Sequence, residues 1–362
     1  MVVLLMCSCS SKEHNNNMDF EVFDIESSSS DLDIITQIDS ISYVILDDSF
    51  EESVFSEISK CQIFNGCIYI LDFEKTKTVT VFDINGKYLH TLGRKGNGPG
   101  EFVCVFDFDV NESGIYMLDR NLKKIMHYSL MGKFLEEFSY LNKRYMVNGL
   151  AVTDDKKFVL GMDKERGEGS PKLLLSSQDF RELECLDTFC EFDTRGELKL
   201  DAVKHSGDKI IFHYPVSDIV HILDTSGKIK KTMKISLGGK TIPDNMRKSF
   251  EKLEDNSQDY IYFYDTPFIT DRYLLSVLSY HSRQALLLWD LRLNKYFLNE
   301  YTDGEMYDIN KMLFPVFAND DIIVCYLNQY LYDRTKNVVL SEKQCKYLEE
   351  GGTLLVVYYL KK

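Results

Sequence analysis

The chain has 362 residues, enough for two average domains, yet all-β repeat folds of this length are commonly one cooperative unit, so length alone does not divide it. With 57 Asp and Glu against 42 Lys and Arg the formal charge is −15, and a general binder of phosphate backbones would work against its own field; nucleic acid is excluded as a natural partner. No stretch beyond the N-terminus approaches the roughly 18–20 apolar residues of a membrane-spanning helix.

The first residues, MVVLLMCSCS, set an apolar run against two cysteines and give way to SSKEHNNN. They resemble the end of a bacterial lipoprotein signal. The small Ser8 directly before it makes Cys9 the expected lipidation site, with Cys7, behind the bulkier Met6, as second choice. Residues 1–9 then read as the signal remnant, and 10–33, rich in Ser, Asn and acidic residues, as a flexible tether. Residues 34–362 are expected to be one domain. The seven remaining cysteines form no CxxC pair, and Cys67 and Cys325 sit in apolar strand-like runs, so they read mainly as buried thiols; Cys185 and Cys190 are close enough in sequence for a bridge.

From here strand-like runs recur. IYILD, IYMLD, FVLGM, IIFHY, YLLSV and IIVCY begin at 68, 115, 158, 210, 273 and 322. Each is followed by a second run, VTVFD, IMHYS, LLLSS, VHILD, LLLWD and QYLYD, which makes six units. In three of them the second run enters a turn ending in Gly and Lys (Gly86-Lys87, Gly132-Lys133, Gly227-Lys228), where Gly supplies a positive φ and Asp83 or Asp224 can bond the backbone at the entrance. The third unit has Gln178-Asp179-Phe180-Arg181 there, and the fifth Asn294-Lys295. Asp72, Asp119, Asp290 and Asp333 also recur at strand ends and read as turn residues.

A period of about 40–50 residues with several strands each predicts a six-bladed β-propeller. Two features complete it. Pro243, Met246, Phe250 and Leu253 have helical spacing and predict one short helical insertion near 243–254. The continuously apolar TLLVVYYL at 353–360 is expected to close the ring against ISYVIL at 41–46.

The segment LGRKGNGPGEF at 92–102, following a VFDxxGK hairpin, resembles NHL-type repeats. The whole chain is similar to the six-bladed β-propeller lipoproteins of Gram-negative gut anaerobes, over roughly 45–360 and most strongly over 60–140. That resemblance implies a scaffold of binding or interaction proteins and lends no activity.

Candidate chemistry is sparse. The Gly93–Phe102 loop could cradle an anion with Arg94 and Lys95 supplying charge, or could be an inter-blade connector in which Gly98 needs a positive φ. It is no P-loop, since no G-K-[ST] follows. His205, His213 and His221 lie in one unit, where three ligands would not converge on the ring axis. No GxSxG, HExxH or Cys-His signature occurs, and nothing calls for a cofactor. The sequence therefore points to a membrane-tethered propeller of the cell envelope, without an evident catalytic motif, binding an unidentified glycan, peptide or envelope partner through loops at one face. A hydrolase or lyase with its site in the central channel is the first alternative, and a structural subunit of an envelope complex the second.

Overall fold

A computed structural model describes residues 21–140, 146–163, 168–193, 202–214, 216–247, 249, 252, 255–263, 265–301 and 304–362. They form six antiparallel sheets arranged as a β-propeller. Blade one is Lys60–Phe64, Cys67–Asp72, Thr78–Asp83 and Tyr88–Thr91, counted from the axis outward. Blade two is Val105–Asn111, Gly114–Asp119, Lys124–Tyr128 and Phe134–Ser139. Blade three is Val147–Val152, Phe158–Met162, Pro171–Ser176 and Leu183–Thr188, and blade four Val203–Ser206, Lys209–His213, Ile219–Asp224 and Ile229–Ser236. In blade five the inner strand is broken into Ile261–Phe263 and Phe268–Ile269, both pairing with Tyr273–Tyr280, beyond which lie Arg283–Asp290 and Lys295–Glu300.

Blade six is assembled from both ends of the chain. Pro315–Ala318 and Ile322–Leu327 are followed by Leu354–Leu360, and the outermost strand is Ile38–Ile45, paired antiparallel with Ile41 opposite Tyr358 and Val44 opposite Leu355. The expected closure by TLLVVYYL is what the sheet shows.

Turn chemistry explains why these runs fold as hairpins. The Asp83 carboxylate accepts from the amides of Asn85 and Lys87 at 2.8 and 2.9 Å, and Asp224 from Ser226 and Lys228 at 2.9 and 3.1 Å. Gly86 has φ +84°, and a Cβ there would lie 2.0 Å from the carbonyl oxygen of Ile45, so the first hairpin also touches the closing strand. In the blades lacking the Gly-Lys turn, Phe180 and Asn294 take the positive φ, at 56° and 52°. Phe180 holds that strained position while buried against Tyr140 and Phe158.

Three sequence expectations change. Gln329–Tyr332, read as a strand, is a helical turn, because the Asn328 side chain accepts from the Leu331 amide at 2.9 Å and only Leu331 of the turn is buried. The third strand of blade six comes only after a further helix, Glu342–Glu349, started by a capping box between Ser341 and Gln344. Within the expected insertion Asp244–Arg247 is helical, with Met246 packed near Val216 and Ile242; Phe250 and Leu253 lie outside the described residues.

The third change concerns the tether. Residues 21–33 lie along the rim as a strap. Glu21–Asp24 adds in parallel to the outer strand of blade four, Ser29 exchanges backbone hydrogen bonds with Asn294 and Tyr296 of blade five, and the chain then enters blade six. Apolar anchors override the polar composition here: Phe23 packs edge-on to Trp289 at 5.8 Å, and Leu32 and Ile34 are buried.

Candidate functional site

The axial cavity of about 860 Å³ opens on the face where the inner strands begin. Lys60 is the first residue of its strand and Phe106 the second of its own. Phe73, Glu74, Arg120 and Asp163 directly follow the second strands of blades one, two and three. Blade four supplies Lys204, blade five Asp265, Thr266 and Phe268, and blade six Phe314, Pro315 and Tyr326. The cavity reaches outward between blades five and six, where Val277 and Gln284 face it beside the break in the inner strand.

Its walls combine aromatic faces with charges, some of them paired within the wall. The Arg120 guanidinium lies 4.9 Å from the Phe106 ring centre and pairs with the Asp163 carboxylate, which also accepts from the Asn148 side chain at 2.9 Å. Phe73 meets Phe106 edge-on at 5.6 Å. The ammonium of Lys204, a buried residue, lies 4.1 Å from the Phe268 ring centre. The exposed Glu57 and Glu74 make an acidic rim.

Lys60 also begins a ladder of inner-strand polar residues. Lys60 pairs with Asp107 at 2.7 Å, and Asp107 accepts the Leu150 amide of blade three at 2.7 Å. Two residues along each strand the pattern repeats: the Gln62 side chain donates to Asp109 at 2.9 Å, and Asp109 accepts the Val152 amide at 2.7 Å. His205 of blade four joins this lower rung, 3.1 Å from Asp109. Burial alone would raise the Asp109 carboxyl, but the His205 imidazole beside it turns the net direction downward. Burial likewise opposes charge on His205, and the Asp109 carboxylate outweighs it, so the imidazole holds its proton to higher pH than usual.

The other histidines have separate partners: His213 meets the Ser217 carbonyl at 2.9 Å, and His221 meets Thr232 at 2.9 Å and Asp187 at 3.3 Å. Among the described residues no three His, Cys, Asp or Glu side chains are grouped to hold a metal. Cys185 and Cys190 are exposed, whereas Cys61, Cys104 and Cys325 are buried; burial pushes the Cys61 thiol up to about 12. Asp72, Asp119 and Asp290 accept backbone amides of the following turns. Cys7 and Cys9 lie outside the described residues.

Arg94 and Lys95 are exposed on the connection from blade one to blade two and do not line the axial cavity. They pair in parallel with Glu101 and Phe102. Within the loop the Gly98 amide donates to the Glu101 carboxylate at 2.9 Å, and Arg94 meets the other oxygen of the same group at 2.7 Å. The Gly98 amide and then Arg94 hold the Glu101 carboxyl below its usual range. Gly98 is not at positive φ; Gly93 and Gly100 are, at 61° and 68°. A Cβ on Gly100 would stand 2.7 Å from the Phe134 ring, whereas one on Gly98 would meet only the flexible end of Glu101, at 3.0 Å.

The expected stability loss therefore moves to Gly100. Gly100→Val should cost about 1–3 kcal/mol in a urea titration, Gly98→Val less, and Arg94→Ala with Lys95→Ala should stay within about 0.5 kcal/mol of the parent. Equal losses for the two glycine variants would refute the assignment.

The cavity residues escaped the sequence reading because the repeat was followed along second and third strands. The readable signal was polar residues at alternate positions of the first strands, Lys60 and Gln62, then Asp107 and Asp109, which face the axis instead of a neighbouring blade.

Residues 20–351 match the family described as a domain of unknown function, DUF4934, and the chain belongs to that family. No curated protein matches. Among solved structures, a Bacteroides fragilis protein provisionally described as exported is 18% identical with a TM-score of 0.74, over 94% of this chain and 99% of the other. A member of the DUF4221 family from Bacteroides vulgatus is 10% identical with a TM-score of 0.52, over 90% and 97%. At these identities the likeness establishes the fold alone. No helix among the described residues is long and apolar enough to cross a membrane.

Proposed function

We propose that this member of the DUF4934 family is a lipid-anchored binding protein of the cell envelope that takes a glycan, a peptide or part of an envelope partner into its axial cavity. The observation that carries this reading is the cavity, with apolar ring faces and fixed polar groups contributed by all six blades. Its volume is typical of ligand sites, and such sites favour concave, pre-formed, largely aromatic walls. Against the hydrolase or lyase alternative stands the engagement of the cavity's inner charges: Asp163 is tied to Arg120 and Asn148, and Lys60 to Asp107. A general acid or base needs freedom to exchange protons with a substrate. The anchor is supported by Ser8-Cys9 ahead of the polar stretch, and an envelope address by the exported Bacteroides fragilis neighbour.

Both halves can be tested. In cells fed a fatty-acid analogue, Cys9→Ala should lose the label and Cys7→Ala should keep it; the reverse moves the anchor to Cys7. In a thermal-shift screen of glycans, peptides and envelope extracts, a ligand that raises the melting temperature of the parent should fail to do so with Phe106→Ala. Turnover of any compound in that screen would favour the enzyme reading, and a ligand indifferent to Phe106 would place binding elsewhere.

A further inference from the structure

We infer that the ligand of the axial cavity is an uncharged, polyhydroxylated molecule, a neutral glycan, and that the Arg120–Asp163 pair grips it. The inference rests on the cavity-binding reading above and adds the chemical class.

Charge comes first. Two cations at the cavity wall have carboxylate partners in place, Lys60 with Asp107 and Arg120 with Asp163. A ligand carboxylate drawn to either cation would have to displace a carboxylate already in place, leaving that group in a site of low dielectric without its partner. A ligand ammonium faces the same exchange from the other side. Net-charged ligands are therefore penalised at these two pairs, and neutral ones are not.

The second observation is hydrogen-bonding capacity. A guanidinium offers five N–H donors in one plane, and only its Nη2 is engaged by Asp163. The carboxylate beside it has further lone pairs. A donor edge and an acceptor edge held side by side complement adjacent hydroxyl groups, each of which both donates and accepts. Position is fixed by packing, since Arg120 lies against the Phe106 ring and Asn148 holds Asp163 from behind. Phe73, edge-on to Phe106, extends this apolar wall, against which the C–H face of a sugar ring can lie.

The test uses the full chain in isothermal titration against neutral oligosaccharides of glucose, mannose, galactose and xylose, the corresponding uronic-acid oligomers, and a mixed peptide library. Variants are Arg120→Met, Arg120→Lys and, as a control outside the cavity, Arg94→Ala. The expected result is binding of a neutral oligosaccharide. It should be weakened roughly tenfold or more by Arg120→Met, less by Arg120→Lys and not at all by Arg94→Ala, with melting temperatures near the parent's. Preference for a uronic-acid oligomer, unchanged affinity in Arg120→Met, or no neutral sugar bound at millimolar concentration overturns it. A peptide or acidic glycan whose affinity depends on Phe106 overturns the class while sparing the cavity-binding reading. Conversion of a probe into product overturns that reading itself.

Discussion

Deleting residues 353–362 should abolish cooperative folding. Leu354–Leu360 is the third strand of blade six, hydrogen-bonded to Ile322–Leu327 on one edge and to Ile38–Ile45 on the other, and six of its seven residues are buried. Each buried large apolar side chain contributes about 1.5–3 kcal/mol, so the strand as a whole carries as much as the roughly 5–15 kcal/mol by which a typical domain is stable. Its removal also strips the partner that holds the N-terminal strand in the ring, leaving two exposed strand edges. Urea titration followed by circular dichroism should lose its sigmoidal transition, and the truncated chain should aggregate. A deletion variant with the parent's melting curve would refute closure by the two ends.

Asp109→Ala should be the most damaging single substitution on the axis, at about 3–5 kcal/mol, because it removes one partner of a buried charge pair. It takes away at once the acceptor for the Gln62 side chain and the Val152 amide and the ion-pair partner of the His205 imidazole, and so removes the rung that ties blades one, three and four to Asp109. The loss should depend on pH. His205 binds its proton more tightly when folded, so its contribution is complete below the unfolded imidazole value and fades as pH rises through the folded one. Asp109 ionises more readily when folded, so its contribution is present above the unfolded carboxyl value and fades as pH falls through the folded one. The gap between parent and variant should therefore be widest near about pH 5.5 and narrower near about pH 9. A gap that does not change over that range would mean that the pair is not ionised in the folded chain.

How far the sequence could be read follows from what each feature depends on. The Asp83 and Asp224 turns were legible because an aspartate carboxylate, a left-handed residue and a lysine four positions on form a local device whose geometry needs no distant partner. The two helices of blade six have local signals as well, Asn328 before Gln329 and Ser341 three residues before Gln344. A repeat read as strand after strand hid the first, and no strand pattern drew attention to the second. The strap was misread for the opposite reason: its composition is that of a linker, and only contact with Trp289 and the edges of blades four and five makes it strand-like. The cavity belongs to that non-local class. Arg120 and Asp163 stand in different blades, 43 residues apart, and Lys204 and Phe268 in two others, so no window of sequence contains the site.

The strap along the rim has a mechanical meaning. A pull on the chain from its N-terminal side first loads the parallel strand Glu21–Asp24, in shear against Ile229–Ser236, and only after that gives way does tension reach Ser29 and then Ile38–Ile45. The outer bonds act as fuses in series, which yield in turn while the ring stays closed.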